Sequence, residues 1–158
     1  MFSFRASALI ALSLLIALPF SASAQGKLFR LGIIGLDTSH SPAFAQEINQ
    51  KSAEYGCKVV AAFPGGSPDV ASSRDRIEGY TKQVRELGVE IAGSIPELLK
   101  KVDGVLLESV DGRPHLAQVK PVIAAKKPVF IDKPMAASLE DVIEIFRLAR
   151  ESGVPCWS

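Results

Sequence analysis

The feature that most constrains this chain is a series of short, largely apolar segments separated by longer segments that are apolar on one side only. The short segments cover residues 28–34, 57–63, 89–92, 104–107, 129–131 and 154–157. A strand with one face in water alternates apolar and polar residues, whereas a strand with little alternation must be covered on both faces. The longer segments supply that cover. Phe44, Ala45 and Ile48 recur at helical spacing, as do Ile77, Tyr80, Val84 and Leu87. Leu98, Leu99 and Val102 follow in a third helix, and Leu139, Val142, Ile143 and Phe146 mark the last. Six strands with five intervening helices predict a doubly wound, parallel α/β sheet. Right-handed crossovers and a glycine turn after the first strand favour the order 3-2-1-4-5-6 of a Rossmann-like domain over a flavodoxin-like order.

Local signals set the helix ends. Ser41 followed by Pro42 predicts an N-cap and a first helical residue, with Gly56 as the stop. Gly88 closes the second helix, and Ser94 with Glu97 forms a capping box for the third. A helix over 114–126 should be kinked or delayed by Pro121, and Ser138 with Asp141 caps the last.

The first 24 residues read differently. Arg5 precedes an apolar run over 6–18, then Pro19 and the small residues Ser21, Ala22, Ser23 and Ala24. This is the order of a secretory signal peptide, with cleavage expected after Ala24 and the domain over 25–158. The apolar run is shorter than the roughly 20 residues that span a bilayer. Arg5 stands alone, so the signal predicts export of an unfolded chain to the periplasm or the exterior.

Without Arg5, 17 of the 18 basic residues remain against 17 acidic ones. That balance excludes the electrostatic footprint of a nucleic-acid or anionic-membrane binder. Cys57 and Cys156 have no metal-site spacing and read as two separate packed thiols.

Unusual polar residues gather after particular strands. The first strand runs into Gly35, Leu36, Asp37, Thr38, Ser39 and His40, and the second into Pro64, Gly65, Gly66 and Ser67. The fourth ends at Glu108, with Asp111, Arg113 and His115 beyond, and the fifth at Asp132, Lys133 and Pro134. In a parallel sheet all these lie on the carboxyl edge, where open α/β folds bind ligands. Each also has a plain reading: Asp37 and Ser39 suit turns, Lys133 a solvated loop, and His40 and His115 structural hydrogen bonding. Glu108 is harder to dismiss, because a carboxylate ending an apolar strand needs a partner. His40, His115, Asp37 and Glu108 are metal-ligand types, but no spacing joins them and no metal centre is assigned.

The run from Leu31 to Gly35, the run from Val102 to Glu108 leading to Pro114 and His115, and above all Phe130-Ile131-Asp132-Lys133-Pro134 resemble the Gfo/Idh/MocA oxidoreductases. These are the relatives of glucose–fructose oxidoreductase and inositol dehydrogenase, and the resemblance covers nearly the whole chain after the signal. It implies NAD- or NADP-dependent hydride transfer on a sugar or polyol. It also implies cofactor contacts from Gly35, Asp37, Thr38, His40, Gly65, Ser67, Glu108, Lys133 and Pro134, with Lys133, Asp132 and His115 as catalytic candidates. The Lys133–Pro134 bond is expected to be cis, as the family's loop often is.

The chain departs from the family pattern in three ways. The positions of the dinucleotide fingerprint read Gly35, Asp37 and His40, which sets a carboxylate toward the phosphates. No acid ends the second strand to hold the ribose, where Ser67 and Arg74 are the nearest candidates. The family's second domain, which carries the substrate pocket, is absent from this sequence. The expectation is a weakly binding nucleotide domain, incomplete for catalysis alone, working with a separate substrate-domain chain or as a homo-oligomer. The alternative is an exported, non-catalytic module holding a sugar or other small polar ligand in the same crevice.

Overall fold

A computed structural model describes residues 26–158; the expected signal peptide lies outside the described residues. A six-stranded, all-parallel sheet has the order β3-β2-β1-β4-β5-β6. Its strands are β1 (Phe29–Ile34), β2 (Cys57–Phe63), β3 (Glu90–Ile91), β4 (Gly104–Leu107), β5 (Val129–Ile131) and β6 (Cys156–Trp157). The sequence-based strand order is the one found. The outer strands β3 and β6 are shorter than expected.

Seven helices fill the connections: α1 (His40–Gln50), α2 (Ser52–Tyr55), α3 (Ala71–Arg74), α4 (Ile77–Glu86), α5 (Ile95–Leu99), α6 (His115–Ala124) and α7 (Leu139–Ser152). Two apolar clusters lie on opposite faces of the sheet, because neighbouring residues of a strand point to opposite sides. Ile33, Ala45, Val59, Ala62 and Val84 build one, and Ile34, Leu98, Leu107, Val119, Ile131 and Ile145 build the other. Burying a side chain of this size is worth about 1.5–3 kcal/mol, so these layers are the main hold on the sheet.

The caps at α5 and α7 form as the sequence predicts. Ser94 accepts from the Glu97 N–H at 3.3 Å, Glu97 accepts from the Gly93 N–H at 2.8 Å, and Ser138 accepts from the Asp141 N–H at 3.1 Å. The first helix differs. It starts two residues early, at His40, and Ser41 lies inside it with its hydroxyl donating to the Gly35 carbonyl at 2.7 Å. Ser41 therefore ties the helix to the end of β1 instead of capping it. The same stretch breaks at Lys51 before the single turn of α2, so it is not one helix to Gly56. Helix α6 starts after Pro114 and continues through Pro121. Among the described residues, no helix is long and apolar enough to cross a membrane.

Cys57 and Cys156 are both free. β2 and β6 are four places apart in the sheet, about 19 Å at ~4.8 Å per strand, far beyond the roughly 7 Å that a disulfide allows.

Candidate functional site

The loops after β1, β2, β4 and β5 meet at the carboxyl edge, and Gly35 is their pivot. Its φ of +95° and its surroundings both demand glycine, since a Cβ there would overlap the backbone nitrogen of Ser109. The chain from β2 continues past its end beside this turn: the Gly35 N–H donates to Phe63 at 2.9 Å and the Leu36 N–H to Pro64 at 2.6 Å. Gly65 then faces Gly35, so that a Cβ on Gly65 would stand 3.5 Å from the Gly35 Cα.

Asp37 does not face outward toward a phosphate, as its place in the fingerprint suggests. It is fully buried, accepting from the Ser73 hydroxyl at 2.6 Å and from the Val110 N–H at 3.1 Å. One carboxylate thus joins the loops after β1, β2 and β4. Thr38 turns inward as well and accepts from the His40 N–H at 3.3 Å.

A second bridge runs outside the first. Ser67 donates to Asp111 at 2.6 Å, and Arg113 pairs with Asp111 at 2.7 Å and with Asp69 at 2.8 Å. The Arg113 guanidinium holds the Asp111 carboxyl well below the usual carboxylate range, opposed by its partial burial and aided by Ser67. Ser67 is therefore engaged across the crevice. Arg74 is spent on Asp75 and on the Pro68 carbonyl. No acid stands at the end of β2, so the ribose end of a dinucleotide finds no partner of the expected kind. Beyond the bridge lies an open groove of about 540 Å³, walled by Val70, Ser72, Val110, Asp111, Arg113 and Pro134.

The other end of the crevice, over β4 and β5, is different in kind. Glu108 is 1% exposed, and neither carboxylate oxygen has a hydrogen-bond donor. Burial, then the charge of neighbouring Asp132, push the Glu108 carboxyl up to about 8; Lys133 pulls the other way. Asp132 in turn meets His40, with Nδ1 and Oδ2 2.5 Å apart. A carboxylate only accepts, so Nδ1 carries the proton of that bond. The His40 ring also lies tilted against Phe44 at 5.9 Å. Lys133 is exposed beside this group, and the Lys133–Pro134 bond is cis.

The structure brings His40, Glu108, Asp132 and Lys133 together, with Gly35, Thr38, Gly65 and Ser67 along the same edge. His115 is placed elsewhere. It is fully buried, with Nε2 2.8 Å from the Ser109 carbonyl and Nδ1 3.1 Å from that of Met135. It pins the loop after β4 to the loop after β5. Of the ligand types seen in the sequence, His40 and Glu108 converge with Asp132, while Asp37 and His115 do not join them. Sequence reasoning missed Ser73, Ser109 and Gln118; the last accepts from the Ser109 hydroxyl at 3.0 Å and stands beside Gly65. No local signal marks them: Ser73 acts on Asp37, 36 residues away, and Ser109 meets Gln118 nine residues on, across a loop.

Residues 29–158 match the family described as "Oxidoreductase family, NAD-binding Rossmann fold", Gfo/Idh/MocA. Inositol 2-dehydrogenase from Cereibacter sphaeroides is 38% identical over 110 residues, 68% of this chain and 28% of that protein. The dehydrogenase MviM from Clostridium difficile superposes with a TM-score of 0.64 at 20% identity, covering 81% of this chain and 38% of that one. GenD2 from gentamicin A biosynthesis, solved with NAD, superposes with a TM-score of 0.63 at 17% identity, covering 85% and 35%. At these identities the superpositions establish the fold. The chain spans between about a quarter and two-fifths of the length of these proteins.

Proposed function

The chain belongs to the Gfo/Idh/MocA oxidoreductase family and comprises its NAD-binding Rossmann domain, and from that premise we propose that it holds NAD or NADP weakly and is incomplete for catalysis by itself. The observation that carries this reading is the asymmetry of the crevice. We take the Gly35 turn and the cis Lys133–Pro134 loop, both on the carboxyl edge, as the parts that face the cofactor. The pyrophosphate and ribose end does not fit it, because Asp37 and Ser67 are committed to bridges and β2 ends without an acid. Losing one charge-assisted hydrogen bond costs about 1.5–3 kcal/mol, or roughly tenfold to a hundredfold in affinity.

In a complete enzyme the cofactor would supply hydride transfer to or from the carbinol carbon of a sugar or polyol, with the hydroxyl proton passing to a base. On this chain Lys133 is the group free to reach a bound hydroxyl, Asp132 orients His40, and His115 fixes the two loops that carry them. A substrate-binding part, on this polypeptide or on another, would complete the site. Leu139, Ile143 and Phe146 lie 44–69% exposed along one stripe of α7, and Trp157 on the edge strand β6 is half exposed, a surface suited to such a companion.

Calorimetric titration with NAD and NADP tests the reading. Dissociation constants weaker than about 100 μM are expected, with no oxidation of sugars or polyols by this chain alone. Low-micromolar binding of either dinucleotide would overturn it. A second reading, an exported module that binds a sugar or other small polar ligand, is favoured by the open groove outside the Ser67–Asp111–Arg113 bridge. Saturable sugar binding with no dinucleotide binding would select it.

A further inference from the structure

We propose that His40, Glu108 and Asp132 form a binding site for one divalent transition-metal ion, of the Mn²⁺, Fe²⁺, Co²⁺ or Zn²⁺ class, at the β4–β5 end of the crevice. One ligand atom from each residue lies within 4.8 Å of the other two. Ligands of a single ion, each about 2.0–2.2 Å from it, stand roughly 3–4 Å apart, so small rotations of these side chains close the site.

The second observation is Glu108 itself. A buried carboxylate with no donor at either oxygen is costly, and here the neighbouring side chain is another carboxylate. His40 has one Nδ1 proton, and Asp132 accepts it. Lys133 is exposed and forms no ion pair among the described residues. An ion carrying two positive charges gives both carboxylates a partner at once and replaces the proton between His40 and Asp132. An imidazole with two carboxylates is the donor set of borderline transition metals, whereas calcium takes six to eight oxygens. Three protein ligands leave at least one position open. His40 is 38% exposed at its side chain, so that position is reached from the crevice and takes water or a ligand hydroxyl.

The test of this site needs no cofactor. The full chain is stripped with a chelator, dialysed, and titrated with Zn²⁺ by calorimetry and with Co²⁺ by visible absorption. One equivalent should bind with a dissociation constant of about 10 μM or tighter. Glu108→Gln and Asp132→Asn should each weaken binding at least about 30-fold and abolish the Co²⁺ bands, with the circular dichroism spectrum unchanged. Glu86→Gln, an exposed carboxylate at the end of α4, should bind like the wild type. Binding weaker than about 1 mM, or affinity unaltered by both Glu108→Gln and Asp132→Asn, overturns the proposal.

Discussion

Replacing Glu108 by Gln should make the protein more stable at alkaline pH while leaving it nearly unchanged at pH 5. The folded chain holds the Glu108 carboxyl at about 8, against an ordinary value of 4.5. Between those two values the folded state keeps a proton that the unfolded state gives up. Stability therefore falls as pH rises through the window, by up to about 1.4 kcal/mol per pH unit. From pH 5 to 9 this group alone should cost about 2–4 kcal/mol, the lower figure allowing for relaxation around the charge. Gln has no proton to lose, so its side chain stays neutral across the whole range. Urea denaturation at pH 5, 6, 7, 8 and 9 with a chelator present measures the difference directly. The curves for wild type and variant should diverge as pH rises. Parallel curves, or a wild type that gains on the variant toward pH 9, would show that Glu108 is not held protonated by its surroundings.

Gly35→Ala should destabilise the domain by about 3 kcal/mol or more in thermal or urea unfolding, since it adds a clash with Ser109 to an unfavourable φ. Asp37→Ala should cost about 2–4 kcal/mol, because the Ser73 hydroxyl and the Val110 N–H lose their acceptor. Asp37→Gly should not tighten dinucleotide binding as a restored fingerprint would, and calorimetry on the variant checks this. Mass analysis after mild oxidation should find no bridge between Cys57 and Cys156.

The fold was legible because its determinants are local or periodic. Little alternation in 57–63 and 129–131 told of strands covered on both sides, and Ser94 and Ser138 announced the caps that form. The ends of α1 were not, since Ser41 is as good an N-cap in isolation as it is a tether to Gly35 in the fold. The carboxyl edge was legible as a place and not as an arrangement. The direction of Asp37 depends on Ser73 and Val110, 36 and 73 residues away, and His40 finds Asp132 across 92. No spacing rule relates such positions. Only the folded sheet, which sets β4 between β1 and β5, brings them within reach.

The Ser67–Asp111–Arg113–Asp69 bridge also bears on the time course of any binding beneath it. A dinucleotide that had to pass between the loops after β2 and β4 would meet them already joined by these contacts. On that path only molecules with the bridge open would be competent, and the apparent dissociation constant would be the intrinsic one divided by that open fraction. Association should then run through a first-order opening step. In stopped-flow mixing, the observed rate should level off as dinucleotide concentration rises, at a ceiling set by the protein alone. Arg113→Ala should lift that ceiling, while ions binding at Glu108, at the other end of the crevice, should show no such plateau.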